Sequence, residues 1–291
     1  TVHGEKGVLR LLGSGDKELN LSNLGFPDNK LTKFKKWINQ PYGMIIISGP
    51  TGSGKSTTLY AALQEIKSDS INITTVEDPV EYQIPGINQI QVHDAIGLSF
   101  SAALRSILRQ DPDVLLIGEI RDQETADIAV KFSMTGHLVF STVHANDAPS
   151  TISRLLDLGI PPFLLGSSLN LIMAQRLVRT IDPNEKEEDS PSTEKLQRLG
   201  IAENANQMTF YKGRPTQQNH NTGYKGRTAI HEILEVNSSI REMIFEGKSE
   251  FEIKDQAIKN GMTPLREAGI DKIKEGVSTV EEILRATVED N

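Results

Sequence analysis

The sequence contains 291 residues, of which 37% are hydrophobic, and carries a formal net charge of −8 at pH 7. This length exceeds a typical single domain, so a main domain with one or two smaller ones is expected. The acidic composition disfavours proteins that bind the nucleic-acid backbone, because such binding needs a basic surface. The lack of cysteine excludes disulfides and thiolate metal sites, and no apolar run approaches the ~20 residues that span a bilayer.

The first 20 residues predict the end of a preceding domain. Residues 1–12 alternate in polarity like a strand, and residues 13–20 form a polar linker. We therefore expect the last hairpin of a β-containing domain whose remainder is missing. Residues 24–41 then predict a helix whose apolar face leads into the next strand.

The most specific motif lies at residues 44–58, where an apolar strand is followed by glycines spaced as in a P-loop. Backbone N–H groups at a helix N-terminus bind a polyphosphate well, and glycine permits the unusual angles that this requires. We expect Lys55 to begin the helix and to reach the β- and γ-phosphates, and Ser56 to ligate Mg²⁺. The alternative is an ordinary Gly/Ser turn. The predicted nucleotide-binding residues are Gly49, Thr51, Gly52, Ser53, Gly54, Lys55, Ser56 and Thr57.

Apolar β-branched segments alternate with helical patterns along the first half of the chain. The segments lie at residues 44–48, 71–76, 114–117 and 138–142. This alternation predicts an α/β fold, with a parallel sheet flanked by helices and with catalytic groups at the carboxyl ends of its strands. The tail at residues 238–287 predicts short amphipathic helices.

Acidic residues end two of these strands. Glu119 follows the strand at residues 114–117, where it is placed to orient or deprotonate an attacking water. Glu77 follows the strand at residues 71–76 and is a second candidate, for holding metal-bound water. In each case the alternative is an ordinary acidic strand end or turn.

A histidine and four arginines complete the set of candidates. His144 lies at the carboxyl end of the strand at residues 138–142 and is the candidate γ-phosphate sensor, although an isolated histidine is more often structural. A guanidinium suits the charge on the phosphoryl oxygens, and a neighbouring subunit often supplies it. The alternative for each arginine is surface solvation or a salt bridge. The four candidates are Arg105, Arg109, Arg121 and Arg154.

Four segments together resemble the Walker A, Asp box, Walker B and His box of the secretion ATPase superfamily. They lie at residues 49–56, 75–82, 108–122 and 135–147. The segments at residues 226–234 and 261–283 resemble the GspE/PilB-type branch, which serves type II secretion and type IV pilus assembly. The resemblance covers essentially the whole chain.

The resemblance implies an α/β protein built on a RecA-like P-loop core. It implies the end of a truncated, PAS-like α+β N-terminal domain at residues 1–20 and a RecA-like ATPase domain at residues 21–180. A metal-less counterpart of a zinc-binding loop region would follow at residues 181–230, and a helical C-terminal domain at residues 231–291.

The resemblance also implies an activity and partners. The activity would be ATP hydrolysis with Mg²⁺ by a cytoplasmic homo-hexamer that is peripheral to the bacterial inner membrane. Its partners would be the inner-membrane platform and cytoplasmic adaptor proteins of a secretion or pilus system, with no nucleic acid and with membrane contact only through partners. The family's catalytic glutamate corresponds to Glu119, and an arginine that reaches the nucleotide corresponds to Arg10. Arg105 and Arg109 match positions implicated in inter-domain or inter-subunit contact near the phosphates.

The chain departs from the family where many members bind zinc through two cysteine pairs. The corresponding positions are Asp182 and Glu185, then Thr216 and Asn219. Carboxylates, a hydroxyl and an amide make a poor structural zinc site. We therefore expect no stoichiometric zinc, and we expect proteolysis to cut first in the acidic surface segment at residues 182–193.

Three other functions share some of these motifs. A nucleotide-gated scaffold would bind ATP with little turnover, whereas Lys55, Ser56 and Glu119 together favour hydrolysis. A pilus-retraction motor is a near relative, although the tail after Glu235 resembles the assembly type better. A DNA-translocating hexamer would need a basic pore, which the acidic composition disfavours.

Overall fold

The computed structural model describes residue 2, residues 4–7 and residues 19–287. Arg10, most of the predicted first strand and most of the predicted linker lie outside these residues. Within the part of the chain that is described, no helix has both the length and the apolar character needed to cross a bilayer. The domain limits expected above stay a prediction.

The described residues form a central sheet of seven strands and a second sheet of two strands. In chain order the strands are β1 (Gly43–Ser48), β2 (Ile73–Glu77), β3 (Asn88–Gln91), β4 (Val114–Ile117), β5 (Leu138–Val143), β6 (Leu169–Ile181), β7 (Lys186–Asp189), β8 (Phe210–Gly213) and β9 (Tyr224–Glu235). The central sheet has the order β3-β2-β4-β5-β1-β6-β9. Its neighbouring strands are parallel, except that β6 and β9 are antiparallel.

Helices connect the strands of the central sheet and follow β9. In chain order they are α1 (Asp28–Ile38), α2 (Lys55–Ile66), α3 (Phe100–Ile107), α4 (Gln123–Met134), α5 (Ala148–Asp157), α6 (Pro162–Ser168), α7 (Thr193–Leu199), α8 (Ser238–Phe245), α9 (Glu250–Lys259), α10 (Leu265–Lys274) and α11 (Val280–Ala286). The strand order places the carboxyl ends of β1, β5 and β4 side by side. Loops that leave these ends therefore meet at one edge of the sheet, where α/β proteins bind their ligands.

Helices cover both faces of the sheet, which explains why its central strands β1, β4 and β5 are buried along their whole length. All six residues of β1 are buried. Ile45 and Ile47 pack in a cluster with α1 and α2, whereas Met44 and Ile46 pack in a cluster with α4 and α5. Full burial of one such side chain contributes about 1.5–3 kcal/mol. A strand buried on both faces therefore has an unbroken apolar sequence, as parallel strands usually do.

The structure confirms the predicted α/β fold, with small changes in the limits of its elements. β4 covers the predicted residues 114–117, and α2 begins at the predicted Lys55. The helix predicted within residues 24–41 is shorter and spans Asp28–Ile38. It begins after Pro27, because proline disfavours a helical conformation in the residue before it.

The C-terminal region is helical as predicted, but the strand that precedes it belongs to the central sheet. β9 pairs with β6 from Leu171↔Glu235 to Ile181↔Tyr224, and α8 begins only at Ser238. The C-terminal helices are therefore attached directly to the sheet. The domain limit expected after residue 230 lies within β9.

The acidic segment at residues 182–193 is partly ordered by strand pairing. β7 pairs with β8 from Lys186↔Gly213 to Asp189↔Phe210. The first three residues of β7 are exposed, as expected for a surface segment. The first proteolytic cut stays a prediction, and the pairing favours residues 190–193, because proteases cleave unpaired chain more readily.

Hydrogen bonds join the positions that correspond to the family's cysteines. The amide nitrogen of Asn219 lies 3.4 Å from a carboxylate oxygen of Asp182, and both side chains are buried. The same nitrogen donates to the Arg214 carbonyl oxygen (2.9 Å), and the Asn219 amide oxygen accepts from the Thr216 backbone N–H (2.8 Å). Arg214 also forms a 2.7 Å ion pair with Glu185. These contacts connect the two halves of the loop region.

Replacing Asn219 with alanine is expected to lower the free energy of unfolding by about 1–3 kcal/mol, since its buried partners lose their hydrogen bonds. Chemical denaturation measures this change, and the exposed neighbour Gln218 provides the control variant Gln218→Ala. Equal stability of the two variants would contradict the expectation.

We also expect no zinc in the purified protein and no change in Tm with EDTA, because these ligands suit zinc poorly. Elemental analysis and thermal unfolding with and without EDTA measure these effects. About one zinc per chain would contradict the expectation.

Candidate active site

The predicted P-loop connects β1 to α2 and leaves the N-terminus of the helix uncapped. Gly54 precedes α2 with a φ of +89°, and no side chain caps the helix. Gly49 has a φ of +147°, and a Cβ built on it would lie 2.5 Å from the carbonyl oxygen of Gln175. Glycine suits both positions, because a side chain is disfavoured by positive φ and excluded by such close approach. The free N–H groups at this helix end are suited to bind an anion such as phosphate.

Lys55 lies over the P-loop. Its Nζ donates hydrogen bonds to the carbonyl oxygens of Gly49 (2.8 Å) and Pro50 (3.1 Å). Burial lowers the pKa of Lys55, while the negative charge of nearby Glu119 acts in the opposite direction. Charged phosphate oxygens are stronger acceptors than these carbonyls. Lys55 is therefore placed to transfer its hydrogen bonds to a polyphosphate.

The other predicted P-loop residues differ in exposure. Thr51, Gly52, Ser56 and Thr57 are exposed at the mouth of the loop and on the first turn of α2. Ser53 is buried, and its hydroxyl has no hydrogen-bond partner among the described residues. The Ser56 hydroxyl is therefore accessible to a ligand held at the helix N-terminus.

Glu119 and His144 meet beside the P-loop. An oxygen of the Glu119 carboxylate lies 3.1 Å from Nε2 of His144, and the other accepts a 2.8 Å hydrogen bond from Nε of Arg121. Glu119 follows β4 and His144 follows β5, so strand pairing brings the two loops together. Lys55 follows β1, which pairs with β5, so these three predicted residues lie at the same edge of the sheet.

Glu77 occupies a separate, buried cluster. Its carboxylate accepts hydrogen bonds from the hydroxyls of Tyr60 and Thr75 and from the Gln89 amide at 3.3 Å. Burial and the hydrogen bond to Glu77 raise the pKa of Tyr60. These contacts link β2 to α2, the helix that begins at the P-loop. The catalytic role expected for Glu77 stays a prediction, and its geometry supports a structural contact.

Apart from Arg121, which contacts Glu119, the candidate arginines that the structure describes lie on the surface rather than in the P-loop. Arg105 forms an ion pair with Glu124 on α4, and both side chains are more than half exposed. Arg109 and Arg154 are also exposed. Among the described residues, neither Arg105 nor Arg109 forms a hydrogen bond or ion pair with the P-loop. Arg10 lies outside the described residues.

Gln175 is a buried residue at the P-loop that the sequence analysis missed. Its Nε2 donates to the Ser53 carbonyl oxygen (2.8 Å), and its Oε1 accepts from the Thr58 hydroxyl (2.8 Å). A Cβ built on Gly54 would lie 2.8 Å from the same nitrogen. Gln175 therefore supports the P-loop from β6. The signal available in the sequence was a polar residue within a long apolar strand.

Glu232 was also missed, and it connects two helices. Its carboxylate accepts from the backbone N–H groups of Ala148 (2.6 Å) and Leu265 (3.0 Å). These are the first residues of α5 and α10, so the carboxylate joins the helix that follows His144 to the C-terminal region. Burial raises the pKa of Glu232 to about 7, against the effect of these hydrogen bonds.

His137 lies at the opposite end of β5 from His144. Its Nδ1 lies 3.2 Å from the Phe132 carbonyl oxygen and 3.1 Å from the Thr135 hydroxyl, at the end of β5 opposite the P-loop. Within the described residues, no group of three or more His, Asp or Glu is arranged to hold a metal ion.

The fold and the P-loop together define a P-loop NTPase with a RecA-like core. The chain belongs to the family described as Type II/IV secretion system protein, whose profile matches residues 1–285. This confirms the family resemblance and the fold class expected from the motifs.

Pilus assembly and type II secretion ATPases are both similar to this chain over essentially its whole length. The chain is 48% identical over 292 residues to the type IV pilus assembly ATPase PilB of Myxococcus xanthus, covering 100% of the chain and 52% of the relative. It is 45% identical over 287 residues to the type II secretion system ATPase E of Vibrio cholerae, covering 99% of the chain and 57% of the relative. The chain thus spans about half the length of these relatives.

Solved structures show the same fold. The pilus retraction motor PilT, solved with bound ADP, superposes with a TM-score of 0.71 at 29% identity, covering 97% of this chain and 70% of that chain. The ATPase DotB of Legionella pneumophila superposes with a TM-score of 0.65 at 23% identity, covering 91% of this chain and 64% of that chain, and supports the fold alone.

Proposed function

We propose that this chain is the motor part of an ATPase that powers assembly of a type IV pilus or of a type II secretion pseudopilus. The observation that carries the proposal is the placement of Lys55, Glu119 and His144 after the adjacent strands β1, β4 and β5, at one edge of the sheet. Relatives at 45–48% identity are named as pilus assembly and type II secretion ATPases. The named retraction motor is 29% identical, which favours assembly over retraction.

Phosphate binding and activation of water are assigned to different groups of the site. Backbone N–H groups of the P-loop and the ammonium of Lys55 bind the phosphates and stabilise the charge that develops during transfer. Glu119 orients or deprotonates the attacking water, while the hydrogen bond from Arg121 and the His144 imidazole 3.1 Å away hold its carboxylate in place. ADP in the PilT structure supports nucleotide binding at this fold.

The same site offers oxygen ligands that suit Mg²⁺. The Ser56 hydroxyl is exposed on the first turn of α2, and Glu119 follows β4 at the same edge of the sheet. Hydroxyl, carboxylate and phosphate oxygens are the ligands that this hard cation prefers. When bound with ATP, Mg²⁺ would neutralise part of the phosphate charge.

The proposal extends to a homo-hexamer that is cytoplasmic and peripheral to the bacterial inner membrane. Arg105 and Arg109 are exposed, which suits contact with the nucleotide of a neighbouring subunit. The partners would be an inner-membrane platform and cytoplasmic adaptors, since the relatives are named for secretion and pilus systems. The acidic composition supports a role without nucleic acid.

Deletion of the gene, followed by electron microscopy of surface pili and assay of secreted enzymes, tests this function. An assembly motor predicts loss of pili or of secretion, whereas loss of a retraction motor would leave extra pili. A Glu119→Gln allele separates the motor from a scaffold. The motor predicts no rescue by this allele, whereas full rescue would favour a scaffold with little turnover.

A further inference from the structure

Arg176 is a buried cation beside the P-loop with no assigned role. It lies on β6 and is 9% exposed. Its Nη1 donates to the Gln175 carbonyl oxygen (3.1 Å), and its Nη2 donates to the Asn146 carbonyl oxygen (2.5 Å). Asn146 lies two residues after His144, on the loop that leaves β5. The guanidinium therefore connects the strand behind the P-loop to the His144 loop.

The positive charge of Arg176 is not balanced by an adjacent carboxylate. No Asp or Glu among the described residues lies within 4.0 Å ion-pair distance, and Glu232 and Asp147 act on it only from farther away. Burial lowers the pKa of Arg176, and Lys55 nearby adds a second positive charge. A buried charge without a partner is unfavourable. An anionic ligand close by would provide the missing counter-charge.

The P-loop is where such an anion would bind. A Cβ built on Gly49, the first glycine of the loop, would lie 3.2 Å from Nη1 of Arg176. Gln175, the preceding residue on β6, holds the Ser53 carbonyl oxygen of the same loop. Gln175 and Arg176 thus lie against the P-loop, and Arg176 contacts Asn146. His144, two residues before Asn146, contacts Glu119.

We propose that Arg176 is a positioning residue that couples phosphate in the P-loop to the placement of His144 and Glu119. The inference rests on the function proposed above. Bound phosphate supplies the counter-charge for the guanidinium and holds it against the Asn146 carbonyl oxygen. The His144 loop is then fixed, and Glu119 is aligned for its water. Arginine suits this role because its planar fork donates in two directions at once, whereas lysine provides a single point charge.

The test compares Arg176→Met and Arg176→Lys in the full chain by phosphate release from Mg-ATP. Arg176→Met should lower kcat about tenfold or more while KM changes less than about threefold, because Lys55 and the backbone still bind the phosphates. Arg176→Lys keeps the charge with one donor group and should give an intermediate kcat. The Tm of nucleotide-free Arg176→Met should stay close to that of the wild type, since loss of a buried unpaired charge offsets the lost hydrogen bonds.

Arg241→Met is the matched control. Arg241 is also partly buried and also donates to a main-chain carbonyl, that of Gly166 (2.7 Å), at the opposite end of the sheet. The Arg241→Met variant should hydrolyse ATP like the wild type. A kcat within threefold of wild type for Arg176→Met, or full activity of Arg176→Lys, would overturn the inference. A kcat loss that follows a lowered Tm and recovers on cooling would also overturn it, because the role would then be purely structural.

Lys55→Ala separates failure of this inference from failure of the proposed function. If Lys55→Ala is inactive and Arg176→Met is fully active, then only the role of Arg176 is wrong. If Lys55→Ala hydrolyses ATP normally, the proposed function is wrong and the inference fails with it.

Discussion

Lys55→Ala is expected to reduce ATP hydrolysis by about a hundredfold to a thousandfold or more, the scale of losing one preorganised charge at a phosphoryl-transfer site. Lys55 already places its ammonium over the loop, on the carbonyl oxygens of Gly49 and Pro50. Alanine leaves no group that can reach the phosphates. Its helix propensity is high, so α2 should still form. Phosphate release at saturating Mg-ATP measures the loss, and circular dichroism checks the fold.

Lys67→Ala provides the control at the other end of this helix. Lys67 follows the other end of α2, where its Nζ donates to the Pro85 carbonyl oxygen (2.6 Å). The same loss of charge there should leave hydrolysis unchanged. Near-wild-type hydrolysis by Lys55→Ala would show that the segment at residues 49–56 is not a nucleotide-binding loop.

Glu119→Gln should lower turnover by about a hundredfold or more while leaving the Kd for Mg-ATP nearly unchanged, the result expected when a positioned base is removed. The amide has the shape of the carboxylate, and its oxygen can still accept the hydrogen bond from Arg121. It cannot take a proton from water. Equilibrium binding of a fluorescent nucleotide and single-turnover hydrolysis separate the two quantities.

Glu65→Gln is the control for this substitution. Glu65 lies on α2 and pairs with Lys35 at the surface (2.6 Å), away from the strand ends that form the site. The Glu65→Gln variant should bind and hydrolyse ATP like the wild type. A large rise in Kd with unchanged turnover in Glu119→Gln would instead assign Glu119 to nucleotide binding.

The P-loop was predictable because its determinants are local. The glycines, Lys55 and Ser56 lie within eight consecutive residues, and the helix that binds phosphate begins inside the motif. Glu119 and His144 were predictable for a related reason. Each directly follows an apolar strand, and parallel strands bring their carboxyl ends to one edge.

Glu77 shows that the position of a residue at a strand end does not specify its side-chain contacts. It also ends a strand, yet its side chain is buried with Tyr60 from α2 and with Gln89. A strand pattern alone does not specify which neighbours a polar end residue will find. The packing of α2 against the sheet decided that contact.

By itself, the sequence determined the α/β class, the P-loop and the order of the acidic and histidine motifs, because periodicity and glycine spacing act over a few residues. Only the tertiary structure showed that Gln175 supports Ser53, 122 residues earlier, and that Glu232 holds Ala148, 84 residues earlier. Such contacts depend on the pairing of β6 with β1 and with β9. A single buried polar residue in an apolar strand does not specify its partner, because that partner is chosen by strand order and register rather than by neighbouring residues.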